Sequence, residues 1–150
     1  MDSLTLNRIQ GDEIYLAMAS FSTLYVDTGL HRLPEQEAVT PHSQFRRTLA
    51  ASGYHLEKSQ VLFNGRPPAL SRFYCSFQLP LDLSDDELYG SSAEEFATTV
   101  SQLDKDGWNT SGRITTATFL RALCLIVPIR EEILEISLGV NIEIPQGRVE

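Results

Sequence analysis

Cysteine is scarce in this sequence. Cys75 and Cys124 are the only two among 150 residues, too few for a disulfide scaffold and without the paired spacing of a zinc site. Both are expected to be buried free thiols in a reducing compartment. Long apolar runs are missing too: the densest, from Phe119 to Ile129, is interrupted by Arg121 and Pro128 and falls far short of the ~20 residues a membrane-spanning helix needs. The first residues, Met1-Asp2-Ser3-Leu4-Thr5-Leu6-Asn7, have no basic start, continuous apolar stretch or small-residue cleavage site, so no secretory signal is expected and the chain should stay inside the cell. Positive charge is also in short supply. Twelve basic residues, ten of them arginine, face 20 acidic ones for a formal net charge of −8, a balance that repels nucleic-acid phosphates.

Catalytic signatures are absent as well. No Gly-x-Ser-x-Gly elbow follows a strand-like run, and the glycines at 107 and 112 lack the Gly-Lys-Ser/Thr ending of a phosphate loop. His31, His42 and His55 have no metal-ligand spacing. The stretch Leu103-Asp104-Lys105-Asp106-Gly107 imitates a calcium loop, but either possible register leaves residue twelve as Thr118 or Thr115, where a bidentate Glu is required. A capped turn with Trp108 packed on its neighbours accounts for it better. Asn109-Thr110-Ser111 has the form of a glycosylation acceptor, which a chain without a secretory signal does not use.

What is present is helical periodicity. Apolar content is 42%, enough for one domain over 1–150 with a single core. Ile14, Met18, Phe21 and Tyr25 share one face of a helix expected over Gly11–Thr28, closed by Gly29 and blocked by Pro34. Thr40-Pro41 opens a second helix, with Phe45, Leu49, Leu56 and Phe63 as its repeating face. Ser52, Gly53 and His55 weaken that helix, so it depends on tertiary packing. Asn64-Gly65 ends it, and Pro67-Pro68 forces an extended exit into an irregular connection over 64–84. Ser84-Asp85-Asp86-Glu87 has capping-box spacing for a short turn over Asp85–Tyr89. A further helix is expected over Glu94–Leu103, and a long one over Ile114–Leu138, kinked or divided at Pro128, with Glu131-Glu132 starting the second piece or lying on an exposed face. Residues 1–10 and 140–150 should fray. The fold class is therefore all-α: an irregular or partial helical domain with a long proline-containing loop.

Two arginine features stand out. Arg46-Arg47 suits ion pairs on a solvated helix face, with a phosphate or partner contact as the functional alternative. Arg66 could anchor its loop by a forked contact to backbone carbonyls or to Asp82, Asp85 or Asp86.

Taken in order, several segments resemble the regulatory (middle homology) domain of fungal zinc-cluster transcription factors. These are Leu16-Ala17-Met18-Ala19 leading to Asp27-Thr28-Gly29-Leu30-His31-Arg32; Phe45-Arg46-Arg47; Asn64-Gly65-Arg66-Pro67-Pro68-Ala69-Leu70; Leu79-Pro80-Leu81; Asp106-Gly107-Trp108-Asn109-Thr110 through Gly112-Arg113-Ile114; Leu120-Arg121-Ala122; and Ile129-Arg130-Glu131-Glu132-Ile133-Leu134-Glu135. The resemblance covers roughly 11–139. The chain departs from the family where Thr48-Leu49-Ala50 and Glu57-Lys58 replace a usual aromatic and a mid-helix Asp.

The resemblance implies a nuclear transcription regulator working through protein contacts, self-association or a small-molecule effector. Its signature positions, Gly29, Arg46, Arg47, Gly65, Arg66, Pro67, Pro80, Gly107, Trp108, Arg121, Arg130 and Glu131, would be structural, with no catalytic, cofactor or metal residue among them. The family's six-cysteine, two-zinc DNA-binding module is not in this sequence, so zinc is expected only in such a module and direct DNA binding is not expected here. Two other readings are a small helical protein that dimerises with a full-length factor, and an enzyme or ligand carrier on the same scaffold.

Overall fold

A computed structural model describes residues 3–139, with side chains from Glu13 onward. Five helices follow in order: α1 (Ser3–Asp27), α2 (Pro41–Asn64), α3 (Asp85–Tyr89), α4 (Ala93–Ser101) and α5 (Thr116–Leu138). Among the described residues the strand-like pairing is one isolated parallel bridge between Arg32 and Ser76. The chain is all-α, and the frayed end expected over 140–150 lies outside the described residues. At the other end, α1 starts at Ser3 where Gly11 was expected.

Local chemistry explains the boundaries. Thr40 caps α2 by accepting from the Ser43 amide while the Ser43 hydroxyl accepts from the Thr40 amide, with Pro41 at the first helical position. Gly65 closes α2 in the left-handed conformation, φ 60°, which a side chain rarely adopts. The box at Ser84–Glu87 starts α3 as its spacing predicts. Pro128 does not divide α5, which runs as one 23-residue helix with the proline on its exposed side.

The helices α1 and α5 both pack on α2. Tyr25, Leu33, Ala50, Tyr54, Leu70 and Val127 form the main core, drawn from all three helices and from the connections on either side of α2. A smaller cluster of Leu83, Leu88 and Phe96 sits under α3 and α4. The Tyr25 hydroxyl donates to the Ala50 carbonyl at 2.7 Å, fixing α1 against α2. Gly53 lets them approach: a Cβ there would come within 2.8 Å of the Phe21 ring and 2.9 Å of the Tyr25 ring. The residue that looks like a weakness in α2 is the condition for its packing.

Two expectations about faces are corrected. Phe45, Leu49, Leu56 and Phe63 are not the buried stripe of α2; they are 46%, 43%, 45% and 86% exposed. The buried positions include Gln44, Arg47, Ala50, Ala51, Tyr54, Glu57, Lys58 and Val61, because the 64–84 loop covers that side and supplies partners for Gln44, Glu57 and Lys58. Glu131 is buried, neither a helix start nor an exposed residue.

Candidate functional site

Two buried polar clusters hold the loops to the helices, and five of the twelve signature positions, Pro80, Gly107, Trp108, Arg121 and Glu131, meet in them. The first joins α2, α5 and the segment after Pro67-Pro68. Lys58, fully buried, places its Nζ 3.0 Å from Glu57 Oε2 and 3.1 Å from Glu131 Oε1, and donates to the Leu70 carbonyl. Glu57 Oε1 accepts from the amides of Ala69 and Leu70 at 2.7 and 3.3 Å. The Tyr54 hydroxyl donates to Glu131 Oε1 at 2.5 Å; burial first, then that carboxylate, pushes the Tyr54 pKa well above its ordinary value. Glu57 and Lys58 are the residues of α2 that dock this loop.

The second cluster joins the Pro80 turn, the 104–109 loop and the start of α5. The Arg121 guanidinium donates to the carbonyls of Pro80 and Asp106, the latter at 2.5 Å, and stacks 4.3 Å from the Trp108 ring. Burial pulls its pKa down against the opposing fields of Asp82, Asp104 and Asp106. Asp82, also buried, accepts from Thr115 and Thr118 hydroxyls at 2.9 and 2.6 Å and from the Asn109 side chain at 2.5 Å. Burial alone would raise its pKa, but the bonds from Thr118, Asn109 and Thr115 together hold it below the usual carboxylate value. Gly107 is required at φ 81°, with its missing Cβ facing Leu81 Cδ2 at 2.8 Å. Asp104 Oδ1 accepts from the Asp106 and Trp108 amides, the capped turn expected in place of a calcium loop.

The remaining signature residues are spread out. Gly29 (φ 74°) ends α1, and Pro67 is exposed after Gly65. Arg130 reaches from α5 to α2, with Nη1 2.6 Å from Ser59 Oγ and 3.1 Å from His55 Nδ1. Arg66 does not bind Asp82, whose oxygens are taken by Asn109 and the two threonines; its guanidinium lies 4.2 Å from the Tyr15 ring. The Arg46-Arg47 pair divides: Arg46 meets Glu37 at 2.8 Å on the half-exposed side, whereas Arg47 is only 4% exposed and not on a solvated face. Arg47 lines a cleft of about 460 Å³ with Arg121, Val39, Leu81, Val100 and Leu103. Sequence reasoning passed over this cleft because its walls come from four distant segments; the one signal was a second arginine at a position in phase with Tyr54 and Lys58.

The two cysteines are free and half-buried, with burial raising both thiol pKa values, that of Cys124 to about 11. Among the described residues no three His, Cys, Asp or Glu side chains group as metal ligands, and no helix is long and apolar enough to cross a membrane. The chain is thus an all-α domain whose loops are held by buried polar clusters. Comparison with protein-family models, curated proteins and solved structures gives no match to it.

Proposed function

We propose that this chain is a protein-interaction module of the regulatory type that accompanies fungal zinc-cluster transcription factors, working in the nucleus through helical contacts and not through DNA. Besides the ordered sequence resemblance, one observation carries the reading: the outer face of α5. Phe119, Leu125, Ile126, Ile129, Ile133 and Ile136 are between 44% and 62% exposed, and positions 119, 122, 126, 129, 133 and 136 alternate by three and four. That is the seam spacing of helices that pack on other helices. The exposed Phe45, Leu49, Leu56 and Phe63 add a second such stripe on α2. Scattered exposed apolar residues are ordinary, but continuous stripes on adjoining helices belong to interfaces. The partner chemistry that fits is another apolar helical surface, as a full-length factor of this type would supply.

The test has two parts. By size-exclusion chromatography and hydrophobic-dye binding, the parent should associate or bind dye, and Ile126→Glu with Ile133→Glu should remove both without loss of helicity; a compact, dye-silent parent monomer would contradict the interface. Fused to a heterologous DNA-binding domain, the parent should change reporter output and the double variant should not. Equal output from both would reject the regulatory reading.

A further inference from the structure

The cleft beside Arg47 carries an unmatched charge. Among the described residues, ion pairs form at Arg46, Lys58, Arg72 and Arg113, but none forms at Arg47 or Arg121, each 4% exposed. Arg121 at least spends its terminal nitrogens on two carbonyls, although its Nε is buried without a hydrogen-bond partner. The Arg47 side chain makes no hydrogen bond to any described residue, and since none of its nitrogens is a closed-off buried atom, its guanidinium opens onto the cleft. A guanidinium that lines a cleft without a counter-charge is poised to take one from a ligand, whereas elsewhere on the same face of α2 the chain matches its fully buried cation, Lys58, with two carboxylates.

The carboxylates that share the cleft do not fill the gap. Asp104 is turned into its own loop, accepting two backbone amides through Oδ1, and Asp106 contributes its carbonyl to Arg121. Both side chains and Lys105 lie at the exposed rim. Between Arg47 and that rim the cleft is lined by Val39, Leu79, Leu81, Val100 and Leu103, with Gln78 the uncharged polar side chain among them. Val39 and Val100 belong both to this cleft and to an adjoining one of about 520 Å³, which continues over Phe96 and Ala97. Each volume lies in the range of small-molecule sites, ~300–1,000 Å³. One end of the combined space offers buried positive charge and the other offers hydrocarbon.

We infer that this cleft binds an amphipathic monocarboxylate, its carboxylate paired with the Arg47 guanidinium and its apolar body lying over Val39 and Val100 toward Phe96. The planar fork of Arg matches a carboxylate's two oxygens. The site is on the loop-covered side of α2, opposite the exposed stripe, so it stands or falls separately from the interface proposed above.

Trp108, the chain's single tryptophan, stacks on Arg121 at the cleft wall and gives an optical readout. Titration of the full chain with decanoate, below its micellar concentration, should change Trp108 fluorescence saturably and raise Tm; decanol and decylamine at equal concentration should do neither. Arg47→Met should weaken decanoate binding about tenfold or more, the scale of one lost charge-assisted contact, while melting within about 1 kcal/mol of the parent or above it without ligand, since it removes no hydrogen bond or ion pair to a described residue. Equal response to decanol, undiminished decanoate binding by Arg47→Met, or no response of the parent would each overturn the assignment. Should Arg47→Met fail to fold, Arg47 is not unmatched in the free protein and the inference falls on that ground.

Discussion

Replacing Lys58 by Met tests whether the buried cluster, and not the helix caps alone, holds the connecting loop in place. The side chains of Lys58, Glu57 and Glu131 are 0%, 1% and 5% exposed. Removing the shared cation leaves the Glu57 carboxylate without a cation and Glu131 with only the longer contact to Arg72 at 3.9 Å, and the Leu70 carbonyl loses its donor. Breaking a buried pair in this way costs roughly 3–5 kcal/mol, and for a chain of this size each kcal/mol moves Tm by about 2–4 °C. The expected fall in Tm is therefore about 6–20 °C, with a matching drop in the urea midpoint. Because the penalty is charge repulsion, Glu131→Gln should cost less in the Lys58→Met background than in the parent, a coupling measurable by a double-mutant cycle. A Lys58→Met protein within about 1 kcal/mol of the parent, or additive effects, would refute the reasoning.

Gly53→Ala gains about 1 kcal/mol of helix propensity but forces a methyl group against the Phe21 and Tyr25 rings, an overpacking cost of about 1–3 kcal/mol. With Tyr25 pinned to the Ala50 carbonyl, the net effect on urea stability should be destabilising; a stabilised variant would mean that α1 yields. Asp82→Asn tests the second cluster. A depressed native pKa contributes stability that is complete above the unfolded value, about 3.9, and is lost as pH falls through the native one. The parent should therefore weaken on acidification below about pH 4, and Asp82→Asn should start about 1–3 kcal/mol lower at neutral pH with a shallower acid limb. An unchanged acid limb in the variant would assign the proton uptake elsewhere, for instance to Glu87, whose pKa bonds from Ser84 and Arg113 lower against burial.

The elements were legible where a backbone rule governs them. Thr40-Pro41, the Ser84–Glu87 box, Gly65 and the proline-broken loop all act within a few residues, and the structure places α2, α3 and the irregular 64–84 connection accordingly. What periodicity could not tell was which face of α2 is inside. Phe45, Leu49, Leu56 and Phe63 carry the stronger apolar signal, yet the inward side contains Arg47, Glu57 and Lys58. A buried Lys can be tolerated only where two carboxylates and a carbonyl converge on it, and one of those carboxylates, Glu131, is 73 residues away in the chain. Nothing local to α2 announces that. The capped 104–108 turn was legible from ligand arithmetic; the cation cleft was not.

The polar groups on the inward face of α2 and the apolar stripe on its outward face are two sides of one design constraint. Docking an irregular loop on α2 requires directional partners, because its backbone amides and carbonyls must be satisfied if they are buried. Glu57 answers the amides of Ala69 and Leu70, Lys58 the carbonyl of Leu70, and Arg121 the carbonyls of Pro80 and Asp106. While Ala50, Tyr54 and Val127 stay in the core, Phe45, Leu49, Leu56 and Phe63 of α2 and the isoleucines of α5 lie on the opposite side, where non-directional burial asks only for another apolar surface. The loop could be packed by hydrophobic residues alone only by leaving those backbone groups orphaned, at about 1–3 kcal/mol each. The position of the polar clusters and the exposure of the α5 stripe therefore follow from the same assignment of faces, and a substitution that turned α2 about its axis would have to disturb both.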